Sequence, residues 1–95
     1  MAGGADGTGE GDEVASEVLR ELLEYLAEGL VDDPEAVSVE QFEEDDGTLV
    51  LELSVGADDY GKVIGRGGRT AAALRTVVKA AAVSENRRVL VDIVD

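Results

Sequence analysis

Cysteine and histidine are absent from this 95-residue chain, and the only aromatic residues are Tyr25, Phe42 and Tyr60. Without cysteine there is no disulfide framework and no thiolate nucleophile, and without either residue there is no Cys/His metal site and no imidazole for acid–base catalysis. These absences remove most chemistries open to a small enzyme. The remaining carboxylates form no recognisable metal constellation, so we read the chain as a non-enzyme with no metal, cofactor or small-molecule substrate. Long apolar runs are missing too: no window approaches the roughly 18 consecutive apolar residues of a membrane span, and the acidic, glycine-rich N-terminus lacks the basic flank and apolar stretch of a signal peptide. A soluble, cytoplasmic protein is expected, and its length allows one domain.

Basic residues are also scarce, and they are unevenly placed. The formal net charge is -14, yet residues 1–59 hold 19 of the 22 acidic side chains and only Arg20 among the bases, whereas residues 60–95 hold seven basic and three acidic ones. Exposed charges are screened beyond a Debye length of roughly 8 Å at physiological ionic strength, so a local basic surface can attract phosphate if the acids lie elsewhere.

Residues 1–13, rich in glycine and acid, hold too little apolar surface to offset the entropy of ordering, and are read as a flexible tail. From there Val14, Val18, Leu19, Leu22, Leu26 and Leu30 recur at spacings of three and four and predict an amphipathic helix, with Glu17, Glu21, Glu24 and Glu28 on its wet side and Gly29 and Pro34 bounding it. Val37–Phe42 leans towards strand. Leu49, Leu51, Leu53 and Val55 alternate with Val50, Glu52 and Ser54, the period of a half-buried strand. The Asp46-Gly47 pair between these runs predicts a hairpin and hence antiparallel pairing. Asp58 is placed to cap a short helix through Ile64. Thr70–Val83 reads as an alanine-rich helix with Leu74, Val77, Val78 and Ala81 inward, broken by Ser84-Glu85-Asn86. Val89, Val91 and Ile93 then alternate in a last strand. The order α-β-β-α-α-β predicts an α+β domain: a three-stranded sheet with the helices packed on one face.

The most informative stretch is Tyr60-Gly61-Lys62-Val63-Ile64-Gly65-Arg66-Gly67-Gly68-Arg69-Thr70. Two helices joined by a loop of three glycines and an arginine bring backbone amides to a helix N-terminus with no Cβ to hold a ligand away, which suits phosphate. Arg66 and Arg69 add charge at the same spot, and Lys62 lies one helical turn earlier. At Ile64-Gly65-Arg66-Gly67-Gly68 the sequence resembles the KH family, whose mark is Ile-Gly-x-x-Gly between two helices. The element order is similar to the type II, prokaryotic arrangement, and the closest likeness is to the bacterial single-KH RNA-binding proteins of the KhpA type, over residues 14–95.

The resemblance implies single-stranded RNA as partner, held by its backbone over about four nucleotides. Gly65 and Gly68 would frame the loop, Arg66 and Gly67 would lie nearest phosphate, Ile64 would line the groove for bases, and Lys62 and Arg69 would flank it. It also implies a role in RNA metabolism or as an RNA chaperone, and pairing either with a second copy or with a second KH protein of the KhpB type. With about three phosphate contacts, log affinity would fall with log salt at a slope of about -2.

Other readings are weaker. A Walker A loop fails because Gly68-Arg69-Thr70 lacks the lysine and Val63 stands where its first glycine should be. A dinucleotide fingerprint fails at Thr70 and would need a strand before the loop. Glu43–Asp46 lacks the alternating spacing of a calcium loop and reads as a solvated turn. Arg75 and Lys79 read as solvent-facing, and Arg87 and Arg88 either extend an RNA path or keep the region soluble. The alternative to RNA binding is a protein-interaction module that pairs through the KH scaffold, its acidic face meeting a basic partner.

Overall fold

The computed structural model describes residues 3–95, with side chains from residue 14 onward, so the tail expected over residues 1–13 lies outside the residues described with their side chains. The regular elements follow in the expected order: α1 (Gly3–Glu28), β1 (Ser38–Glu43), β2 (Leu49–Ser54), α2 (Tyr60–Ile64), α3 (Arg69–Ser84) and β3 (Val89–Ile93). Strand β1 begins one residue later than the sequence indicates.

The sheet order is β1-β2-β3. The hairpin forms as predicted, with Phe42 opposite Val50 and Glu43 opposite Leu49. Gly47 takes a φ of 89° at its tip, where a side chain would be strained. The Glu44 amide donates to the Thr48 carbonyl at 2.8 Å, and Asp46 Oδ1 accepts from the Thr48 amide at 2.9 Å. Strand β3 pairs with β2 in parallel, Leu51 beside Val91, and a parallel neighbour needs a long crossover. Helices α2 and α3 are that crossover, which places the loop between them on the helical side of the sheet.

Alternation sends Leu49, Leu51 and Leu53 of β2 and Val89, Val91 and Ile93 of β3 into the core with Val39 of β1. Val63 of α2 and Ala71, Leu74, Val78 and Ala82 of α3 meet them. Val77 does not: it is 45% exposed, against the sequence reading. The buried line of α1 is also displaced from the one expected. Ala15, Leu19, Leu23 and Ala27 are buried, Leu22 and Leu26 sit at the margin, and Val14, Val18 and Leu30 are exposed. Alanines at 15 and 27 belong to this buried line, and their small side chains carry little weight in a reading based on hydrophobicity.

The α3 C-terminus closes as a Schellman motif, with Asn86 at φ 59°, its amide on the Val83 carbonyl and the Arg87 amide on the Ala82 carbonyl at 2.8 Å. The Arg87 side chain then turns inward, 8% exposed, donating to the Gly47 carbonyl and to Ser16 Oγ at 3.3 Å each and lying 3.6 Å from Glu43. Of the two readings offered for it, neither describes this residue, which ties the hairpin, α1 and β3 together.

Candidate functional site

The site is built at the α2–α3 junction. Helix α2 ends at Ile64, half-buried against the core, and the chain reverses through Gly65, whose φ of 76° and ψ of 170° are essentially restricted to glycine. A Cβ at Gly65 would fall on the Thr70 side chain, 2.7 Å from its Cβ, and 2.9 Å from the Thr70 amide nitrogen. The loop is thus drawn tightly onto the first turn of α3. Gly67 and Gly68 are left-handed, with φ of 64° and 78°, but a Cβ at either would meet nothing within 4 Å. Close contact on one side and open space on the other leave the loop tip facing solvent.

Internal hydrogen bonds engage the amides of Gly65, which donates to the Gly61 carbonyl at 2.8 Å, of Gly68, on the Gly65 carbonyl at 3.0 Å, and of Arg69, on the Arg66 carbonyl. The amides of Arg66 and Gly67 take no part in these bonds. Helix α3 has no side-chain cap at Gly68, so its first turn is open to an outside acceptor, and its dipole adds about 0.3 to 1 kcal/mol for an anion there. Arg66 and Arg69 are exposed, and neither takes part in an ion pair among the described residues. Two free guanidiniums beside open amides can hold a phosphate or a run of phosphates.

Lys62 is placed differently. Its ammonium lies 3.2 Å from Asp59 Oδ1 and 3.2 Å from Asp32 Oδ2, and hydrogen bonds to Asp59 first and Asp32 second hold its pKa above the ordinary lysine value. Asp59 is only 2% exposed. Burial pushes its carboxyl up, but the amides of Asp33 and Asp32 and the Lys62 ammonium outweigh that, leaving its pKa below the ordinary aspartate value. Asp33 donates its amide to Asp59 Oδ2 at 3.0 Å. The strut fastens the α1–β1 connection to the start of α2.

Asp58, the expected cap, is exposed; a 3-10 turn over Ala57–Asp59 comes first and Asp59 takes the cap position without a side-chain cap bond. The Asp59–Lys62 spacing of i, i+3 was the one local signal for this strut. Its third member, Asp32, is remote in sequence.

Of the other bases, Arg75 is half-buried rather than solvent-facing, its Nε donating to the Val91 carbonyl at 3.2 Å; Lys79 is exposed; and Arg88 is exposed but held by Asp46 at 3.3 Å. Among the described residues no group of acidic side chains is arranged to hold a metal ion, and no helix is long and apolar enough to cross a membrane.

A family model described as KhpA/KhpB, KH domain, matches residues 20–93. A protein named RNA-binding protein KhpA from Halalkalibacterium halodurans is 55% identical over 78 residues, covering 81% of this chain and 100% of the relative. One of the same name from Clostridium perfringens is 50% identical over 76 residues, covering 80% and 100%. A third, from Streptomyces coelicolor, is 53% identical over 78 residues, covering 82% and 94%. Among solved structures, Era in complex with MgGDPNP and nucleotides 1506–1542 of 16S ribosomal RNA aligns with a TM-score of 0.54 at 19% identity, over 79% of this chain and 28% of Era, a likeness of fold.

Proposed function

The chain belongs to the KhpA/KhpB KH-domain family, and from that premise we propose that it binds single-stranded RNA by the backbone at Gly65–Gly68, without catalysing a reaction. The observation that carries this reading is the pairing of an open, three-glycine turn at the α3 N-terminus with two exposed arginines that form no ion pair among the described residues. Relatives covering their whole length are named RNA-binding proteins, which supports it. In this reading phosphates lie over the amides of Arg66 and Gly67, the two guanidiniums take the flanking charge, and bases rest against the exposed part of Ile64. Lys62 holds the scaffold rather than the RNA. With three aromatics in the chain, base stacking adds little, so sequence preference is weak and the role is a general one in cytoplasmic RNA metabolism or chaperoning.

The test is the double substitution Arg66→Asp with Gly67→Asp. Gly67 tolerates aspartate because its Cβ would project into open space and aspartate enters the left-handed region at modest cost. Fluorescence anisotropy with labelled single-stranded RNA should show binding by the wild type and none by the variant, while both give the same circular-dichroism spectrum. Unchanged affinity in the folded variant would sink the loop assignment.

Pairing through the KH scaffold, with a second copy or a KhpB-type protein, is favoured by one observation. Leu26 and Leu30 of α1 and Thr70, Ala73, Leu74 and Val77 of α3 line a shallow apolar groove of about 200 Å³. A solution mass of 9.9 kDa by light scattering, alone and mixed with such a partner, would argue against it.

A further inference from the structure

Among the described residues the helices cover one face of the sheet, and the other is bare. Phe42, Val50 and Leu90 point to that bare face, and the register sets them side by side, Phe42 opposite Val50 and Val50 beside Leu90. Phe42 is 48% and Leu90 49% exposed, so this is an apolar row across all three strands. Two residues along, the same register lines up Glu40, Glu52 and Asp92. Adjacent strands lie about 4.8 Å apart and residues two apart on a strand about 7 Å, so three carboxylates stand in a row about 10 Å long, one step from the apolar row. Among the described residues none of the three takes part in an ion pair. Like charges directly opposite in a sheet destabilise it, and an exposed aromatic gains nothing from water, so both rows weaken the free domain.

We propose that this face docks a basic, apolar-anchored segment of a partner protein: an amphipathic helix whose apolar stripe lies on Phe42, Val50 and Leu90 while its lysine or arginine edge meets Glu40, Glu52 and Asp92. Charge complementarity selects that occupant. RNA would bring phosphates against three carboxylates. A second copy would bring the same carboxylates, and Arg88, two residues before Leu90, is already held by Asp46 at 3.3 Å. The glycine loop lies on the helical side of the sheet, so the two surfaces can be occupied together.

The test is an NMR titration of the isotope-labelled full chain with a short amphipathic helical peptide of leucine and lysine, and with its counterpart carrying glutamate for lysine. The lysine peptide should shift the amides of residues 40–42, 50–52 and 90–92, and the glutamate peptide should not. Glu40→Gln with Glu52→Gln and Asp92→Asn should weaken binding about tenfold, and Phe42→Ser should weaken it as well, each with a native spectrum. Glu17→Gln with Glu21→Gln and Glu28→Gln, the same change in charge on α1, should alter the affinity by less than about twofold. No binding, equal losses from the two triple variants, or shifts centred on α1 would overturn the proposal, the latter two as diffuse attraction of a cation to an acidic protein. Shifts of the same amides by single-stranded RNA would assign the face to RNA and overturn it. So would a doubled mass in light scattering that Phe42→Ser abolishes, assigning the face to a second copy.

Discussion

Gly65 and Gly67 share a positive φ but not a neighbourhood, and the difference separates backbone strain from crowding. At Gly67 an alanine meets only the left-handed penalty of about 1 kcal/mol. At Gly65 it adds a collision with Thr70 in a region of φ and ψ that side chains scarcely enter, and a loss of about 3 kcal/mol is expected. Urea unfolding of Gly65→Ala and Gly67→Ala should show this ordering; equal losses would mean that the Thr70 contact is relieved by a small shift. Asp59 gives a pH signature at the same scale. Its native pKa lies below the ordinary value, so its contribution is fully present above about pH 4 and is lost as the pH falls through the lower native value. Wild type should therefore exceed Asp59→Asn in stability at neutral pH, and the gap should close in acid. A gap that stays constant through the acid range would show that the carboxylate charge is not what stabilises the strut. Lys62 carries the opposite sign: its raised pKa keeps its contribution in place below the ordinary lysine value of about 10.4, with loss only above the native one.

At the scale of the element, α1 shows how a correct helix can carry a displaced face. Ala27 is fully buried and belongs to the core cluster. Ala27→Leu raises the helix's hydrophobicity, yet it should destabilise the domain by about 1 to 3 kcal/mol through overpacking, measured as a lower urea midpoint at constant m-value. A stabilised variant would mean that space remains beside Ala27 and that the displaced stripe has another cause. The strands were easier to read because leucine, valine or isoleucine at every second position of β2 and β3 leaves one face to bury, and Asp46-Gly47 carries its turn chemistry locally. That β3 joins β2 in parallel has no local signal; it is set by where α2 and α3 can cross. The glycine loop was legible for the same reason as the turn, since the requirement at Gly65 is a backbone one. The role of Lys62 was not, because Asp32 reaches it only once the fold is made.

For the whole molecule the question raised by the proposed function is how a chain of net charge -14 approaches RNA at all. Among the described residues, acids stand on the hairpin, the bare sheet face and the outer side of α1, and none of them pairs with Arg66 or Arg69. The aspartates nearest α2 are partly answered by Lys62. That leaves Arg66 and Arg69 as the loop cations without an ion pair among the described residues, one fewer than the sequence reading allowed. Each phosphate neutralised contributes about -0.7 to the log–log salt slope for a single strand, so the wild type should show about -1.4 rather than -2. Arg69→Gln should bring the slope to about -0.7, whereas Lys62→Gln should leave it unchanged and lower the melting temperature instead. If Lys62→Gln reduced the slope as much as Arg69→Gln does, the ammonium would have to leave its two aspartates when RNA arrives, and the strut would be a latch that opens on binding rather than a fixed support.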